Sequence, residues 1–218
     1  MTAAPVGFDL DMTLIDSRRA ILASFAAVAT ATGVPIDPEA VDRRLGIKLE
    51  DELGHWFPAG RIDDAARVYR EHYVRLAGEL TTVLPGARES LAAVRTAGGR
   101  VLVITAKIES SARLSLEGVG LRPDSLFADA HGPEKAAVLS AEGAAVYVGD
   151  TPADMAAALA AGAHPVGVAT GSFTAAELRA AGAAVVLDSL TSFPGLYRAM
   201  IADPDNEDQD DEDQGDED

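Results

Sequence analysis

The chain has 218 residues, 48% of them hydrophobic and 24% charged, with no cysteine and a net charge of −17. That length suits one sizeable core with a smaller accessory unit. The lack of cysteine excludes disulfides, thiolate metal sites and cysteine nucleophiles, which leaves oxygen ligands and carboxylate or hydroxyl chemistry.

Eleven acidic and no basic residues fall in Asp203–Asp218, so the remainder carries only −6. Such a segment repels itself and has nothing apolar to bury, so residues 203–218 are expected to form a disordered tail. The balance offers no basic face for nucleic acid. The N-terminus, Met1–Phe8, has no basic start and its apolar stretch is cut by Asp9 and Asp11, unlike a secretory leader. No apolar run approaches the length of a membrane span, and a cytoplasmic protein is expected.

In chain order, short apolar runs at Pro5–Phe8, Arg100–Ile104, Ala144–Val148, Val166–Val168 and Ala184–Leu187 read as buried parallel strands. Helical stretches stand between the later runs at Ala87–Ala97, Ser110–Glu117, Glu134–Ser140, Ala153–Ala161 and Ala175–Ala180, with Gly98, Gly118, Gly162 and Gly182 at their ends. Glycine there suits a left-handed C-terminal cap. Alternating strand and helix predicts an α/β fold, a doubly wound parallel sheet.

The first two strands are separated by far more chain than one crossover helix requires. Ile21, Leu22, Phe25 and Val28 recur at helical spacing, as do Val68, Tyr69, His72, Tyr73 and Leu76, so two long helices with shorter ones between them are expected. This gives a core of residues 1–16 and 83–202 with an inserted helical cap of residues 17–82. Tyr69, Tyr73 and Trp56 read as core of that helical unit.

The first strand runs into Asp9-Leu10-Asp11-Met12-Thr13. Residues i and i+2 of an extended segment point the same way, so Asp9 and Asp11 can face one pocket at the carboxyl end of the sheet, where open α/β folds bind ligands. The second strand ends in Thr105-Ala106-Lys107, and Lys135 starts a helix, where its cation gains nothing from the helix dipole. The run Gly149-Asp150-Thr151-Pro152-Ala153-Asp154 delivers one carboxylate from a buried strand and a second into the next helix.

In order, Asp9-x-Asp11-x-Thr13, Thr105, Lys135 and Gly149-Asp150-x-x-x-Asp154 resemble the four motifs of the haloacid dehalogenase superfamily. With a helical cap after the first motif, residues 5 to 200 resemble its phosphoglycolate-phosphatase-like members. The chain departs from that pattern at Met12, where many members have glycine, and at Ala106, where phosphoglycolate phosphatases usually have asparagine.

The resemblance implies a phosphatase that hydrolyses a small phosphorylated metabolite. It implies Asp9 as nucleophile, Asp11 as acid and base, and Thr105 and Lys135 as phosphate ligands. Mg²⁺ would be held by Asp9, the Asp11 carbonyl and Asp150, assisted by Asp154. A dehalogenase of this fold has no use for Asp11. A phosphosugar mutase would keep it, but Ile21 stands where the phosphoglucomutase-like group has a cap histidine. A non-catalytic binding protein would be expected to have lost a motif residue. Lys48 is the cap residue singled out for substrate, with Arg18, Arg19 and Arg44 as further cations. Deleting Asp203–Asp218 is expected to leave the kcat of a small substrate nearly unchanged, because the tail has no apolar content with which to dock. Steady-state kinetics of truncated and full chains check this, and a large loss of kcat would put the tail in the active unit.

Overall fold

Val6, Gly7 and Phe8 form strand β1 (Val6–Phe8), buried along its whole length. Its neighbours are β4 (Val101–Ile104) and β6 (Val146–Gly149), both parallel to it, in the registers Val6↔Val101 and Val6↔Val146. Strands β5 (Ser125–Phe127), β7 (His164–Val168) and β8 (Val185–Leu187) complete a six-stranded parallel sheet of order β5-β4-β1-β6-β7-β8. The computed structural model describes residues 3–202, so the acidic segment 203–218 lies outside the described residues.

Apolar residues on both faces explain the uninterrupted hydrophobic runs. One face, with Phe8, Val103, Val148 and Val166, packs against α5 (Ala87–Thr96), α6 (Glu109–Val119) and α10 (Phe193–Ala202). The other, with Leu102, Ile104 and Tyr147, packs against α7 (Pro133–Glu142) and α8 (Pro152–Ala160). Helix α9 (Ala175–Ala180) spans the segment between β7 and β8. Among the described residues, no helix is long and apolar enough to cross a membrane.

After β1 the chain forms β2 (Ile15–Asp16), then helices α1 (Arg18–Thr32), α2 (Pro38–Arg43), α3 (Leu49–Gly54) and α4 (Ala59–Leu80), and returns through β3 (Thr82–Val83). Strands β2 and β3 pair antiparallel, Ile15 opposite Val83 and Asp16 opposite Thr82. The four helices share a hydrophobic cluster of their own that includes Ile21, Phe25, Tyr69 and Tyr73. Helix α4 also lies on α6, where the Tyr73 hydroxyl meets the Ser115 hydroxyl at 2.9 Å.

The elements differ from expectation in a few places. Gly118 lies inside α6, and Gly120, at φ 67°, is its left-handed cap. Strands β2, β3 and β5 have two or three residues each and are only partly buried, too short for a period to register. Helix α10 carries Pro194 and Gly195 in its first turn, where proline is tolerated because the first N–H groups need no helical partner.

Gly86 precedes α5 at φ 86°, and a Cβ there would lie 2.1 Å from the Thr191 nitrogen and 2.2 Å from the Leu190 carbonyl carbon. Backbone atoms cannot rotate out of the way. Gly86→Ala is therefore expected to lower stability by about 3 kcal/mol, combining left-handed strain with overpacking, and urea unfolding measures it.

Candidate active site

The carboxyl ends of β1, β4 and β6 lie side by side, and the strand order reverses between β1 and β6. That reversal opens the crevice in which ligands of doubly wound sheets bind. Asp9 follows β1, and its N–H continues the ladder to the Val148 carbonyl at 2.8 Å. The chain then turns sharply. The Leu14 and Ile15 N–H groups donate to the Leu10 carbonyl at 2.9 and 3.1 Å, and the Met12 N–H donates to Ile15 at 2.7 Å.

Met12 sits at φ 59°, a left-handed conformation that favours glycine. Its side chain is buried, which offsets the backbone cost, and its carbonyl accepts a hydrogen bond from the Thr170 hydroxyl. Thr13, also buried, donates to Asp150 Oδ1 at 3.1 Å.

Lys135 is 2% exposed. Its Nζ donates to Asp9 Oδ1 and to Asp154 Oδ1, each at 2.7 Å. Burial pulls the ammonium pKa down, but the adjoining Asp154 and Asp9 carboxylates more than offset it and hold the group well above its ordinary value. Asp154 is fixed from every side. Its Oδ2 accepts from the Thr151 N–H at 3.1 Å and the Thr151 hydroxyl at 2.7 Å in a reciprocal cap of α8, and Tyr147 reaches Oδ1 at 3.2 Å.

Asp9, Asp150 and Asp154 are all buried, and each offers an oxygen within 4.8 Å of the others. Burial pushes the Asp9 carboxyl up to about 7, against the pull of Lys135. Burial and then the Asp9 and Asp154 charges raise Asp150 well above the carboxylate range. Three clustered carboxylates with one ammonium leave negative charge uncompensated, and a hard divalent cation with oxygen preference fits that deficit.

Asp11 and Thr105 line the same cavity as Asp9. The Asp11 carboxylate, however, turns to Ser17 and Lys107, both of which hydrogen-bond to Oδ1. The Lys107 ammonium also lies 4.9 Å from the centre of the Tyr73 ring. Burial lowers its pKa, yet the Asp11 charge and the Tyr73 hydroxyl beside it carry it above its usual value. The Thr105 hydroxyl accepts the Lys107 N–H at 3.2 Å.

Lys48 lies apart, outside the cavity lining, and pairs with Glu134 at 3.1 Å and Asp129 at 3.4 Å. Arg18 pairs with Asp42 at 2.9 Å, and Arg44 holds Glu52. Tyr69 and Tyr73, expected as helical core, are buried in that core and also border the cavity. Trp56 packs at the edge of the same cluster.

Sequence reasoning missed Lys107, Tyr147, Ser17 and Gly171. Lys107 carried a signal, since it stands two residues after the strand-end Thr105. Gly171 carried none. A Cβ there would lie 1.9 Å from Asp150 Oδ2, so a residue in the loop after β7 sets the room for a carboxylate at the end of β6.

A family model described as haloacid dehalogenase-like hydrolase matches residues 6–128, and a second, of HAD-hydrolase-like proteins, matches residues 122–193. The chain belongs to the haloacid dehalogenase superfamily. This HAD chain is 30% identical over 216 residues to the "Probable phosphatase IndB" of Dickeya dadantii, covering 89% of the chain and 93% of that protein. It is 34% identical over 212 residues to the phosphoglycolate phosphatase of Rhodospirillum rubrum, covering 85% and 87%. A crystal structure of a hydrolase from Pseudomonas syringae shares the HAD fold at a TM-score of 0.78 and 22% identity, with 90% of this chain and 98% of that one covered.

Gly171→Ala is expected to push Asp150 aside and lower kcat by about a hundredfold, the scale of losing a preorganised charged group. Unfolding should stay cooperative, because the obstruction meets one side chain. Steady-state kinetics paired with a thermal melt test this, and near-wild-type kcat would mean that Asp150 moves freely.

Proposed function

We propose that this chain is a Mg²⁺-dependent phosphatase that hydrolyses a small phosphorylated metabolite through an aspartyl phosphate. The observation that carries the reading is Asp9 itself: a buried carboxylate held by Lys135 beside Asp150 and Asp154, opening on a cavity that Asp11 also lines. The phosphatase names of the relatives that align over most of their length support it.

Phosphoryl transfer needs charge neutralisation, an in-line nucleophile and a proton for the departing oxygen. Asp9 attacks phosphorus, and the bond from phosphorus to the ester oxygen breaks. Asp11 gives its proton to that oxygen, then takes one from the water that attacks the aspartyl phosphate, and inorganic phosphate leaves. Thr105, through its hydroxyl and the N–H groups that follow it, binds phosphoryl oxygens with Lys135.

The cation would be held by the carboxylates of Asp9 and Asp150 with the Asp11 carbonyl, and it supplies positive charge to the crowded carboxylates and the phosphoryl oxygens. Asp154, with both oxygens already hydrogen-bonded, orients Lys135 and would assist in holding the metal. The Lys107 ammonium holds Asp11 toward the cavity in the free enzyme. Residues 17–82 act as a cap over the site, hinged at β2 and β3, and they exclude bulk water during turnover. Among the described residues no histidine lines the cavity, and Ile21 does, which favours attack by water over the mutase reaction.

Asp9→Asn is expected to abolish phosphate release while preserving the circular dichroism spectrum, because an amide oxygen is a poor nucleophile. Chelation with EDTA is expected to remove activity and Mg²⁺ to restore it. Turnover near wild type in the variant, or in excess chelator, would exclude this route.

A further inference from the structure

We propose that the organic part of the substrate is uncharged, carrying no second carboxylate or phosphate beyond the ester itself. This rests on the phosphatase reading and narrows it to a substrate class. The cavity holds about 80 Å³. Much of its lining is apolar, with Phe25, Leu45, Ile47 and Tyr69 among the lining residues. Three cations also line it, Arg44, Arg70 and Lys107, and at first sight they would suit a dianionic substrate.

Each of the three already has a carboxylate beside it, although the Arg70 Nε is left without a hydrogen-bond partner. Arg44 grips Glu52 with two parallel hydrogen bonds, Nε to Oε2 and Nη2 to Oε1, both at 2.7 Å. The Trp56 Nε1–H donates to the same Glu52 Oε1 at 2.9 Å, and the Arg44 guanidinium lies 5.7 Å from the Trp56 ring centre. Arg70 pairs with Glu50, and Lys107 with Asp11. In the free enzyme, with Asp11 ionised, the carboxylates lining the cavity offset every cation that lines it among the described residues, and Arg44 and Arg70 stay offset when Asp11 carries the proton it donates.

A substrate carboxylate taking over the Nε and Nη2 fork of Arg44 would displace Glu52, and one approaching the remaining Nη1 donors would meet a guanidinium whose charge Glu52 already offsets. Glu52 is 4% exposed, and once displaced it would be left buried with the Trp56 N–H as its one remaining donor, a strongly unfavourable exchange. An uncharged leaving group displaces nothing and gains the apolar wall. Glu52 and Glu50 thus act as specificity-determining residues by rejecting charge rather than by contacting the preferred substrate.

The experiment measures kcat/KM for phosphate release, with Mg²⁺, on size-matched phosphomonoesters with and without a carboxylate, 2-phosphoglycolate against 2-hydroxyethyl phosphate among them. The uncharged esters are expected to lead by about tenfold or more, the discrimination an unpaired buried charge readily imposes. Glu52→Gln keeps an acceptor for Arg44 and Trp56 while freeing one positive charge. It should shift the ratio toward the carboxylate esters by about tenfold, through KM for those esters rather than kcat.

If that variant does not fold, Glu50→Gln at the cavity rim tests the same point on Arg70. A carboxylate ester that leads in the wild type, or a ratio unmoved by a folded variant, would overturn the inference while the phosphatase reading stands. No phosphate release from any ester, p-nitrophenyl phosphate included, would overturn the phosphatase reading and the inference with it.

Discussion

Lys135 is an ammonium taken almost wholly out of water and set between the carboxylates of Asp9 and Asp154. Alone, any of these charges would be costly to bury, and the pair attraction repays that cost only when the remaining lone pairs are also satisfied. The neighbourhood shows that requirement being met. Thr151 and Tyr147 hydrogen-bond Asp154, while Thr13 hydrogen-bonds Asp150. The cap of α8, the end of β6, the turn after β1 and the start of α7 are thereby tied to one cluster. The elements that carry the candidate site are also those the cluster holds together.

The central strands of the sheet were legible because they are buried on both faces. Val101–Ile104 and Val146–Val148 have no polar interruption, and parallel central strands need none. What escaped was marginal by the same criterion: Ser125–Phe127 is a half-buried edge strand, and Ile15–Asp16 and Thr82–Val83 are too short for alternation to register. Gly118 was a reasonable choice of helix end, yet the backbone turns left-handed two residues later at Gly120, and composition cannot tell two nearby glycines apart.

For the site, the sequence reached the groups but not their partners. Asp9, Lys135, Asp150 and Asp154 stand at strand and helix ends that the pattern itself located, and the sheet order brings them together. Asp11 was expected beside Asp9 and does line the same cavity, while its carboxylate is held by Ser17 and Lys107. Such pairings depend on rotamers and on the approach of loops distant in the chain, and no periodicity encodes them. Gly171 is the extreme case, since its significance lies in an atom it lacks.

The pairing of Ile15 with Val83 and of Asp16 with Thr82 means that the helical segment leaves and re-enters the core at neighbouring points. Such an arrangement confines the chain connection between the two parts to one place. The segment can lengthen, shrink or be exchanged for another without shifting any strand of the main sheet, because its two ends remain a strand pair apart whatever lies between them. The boundary between the two parts runs through a ladder of two residue pairs.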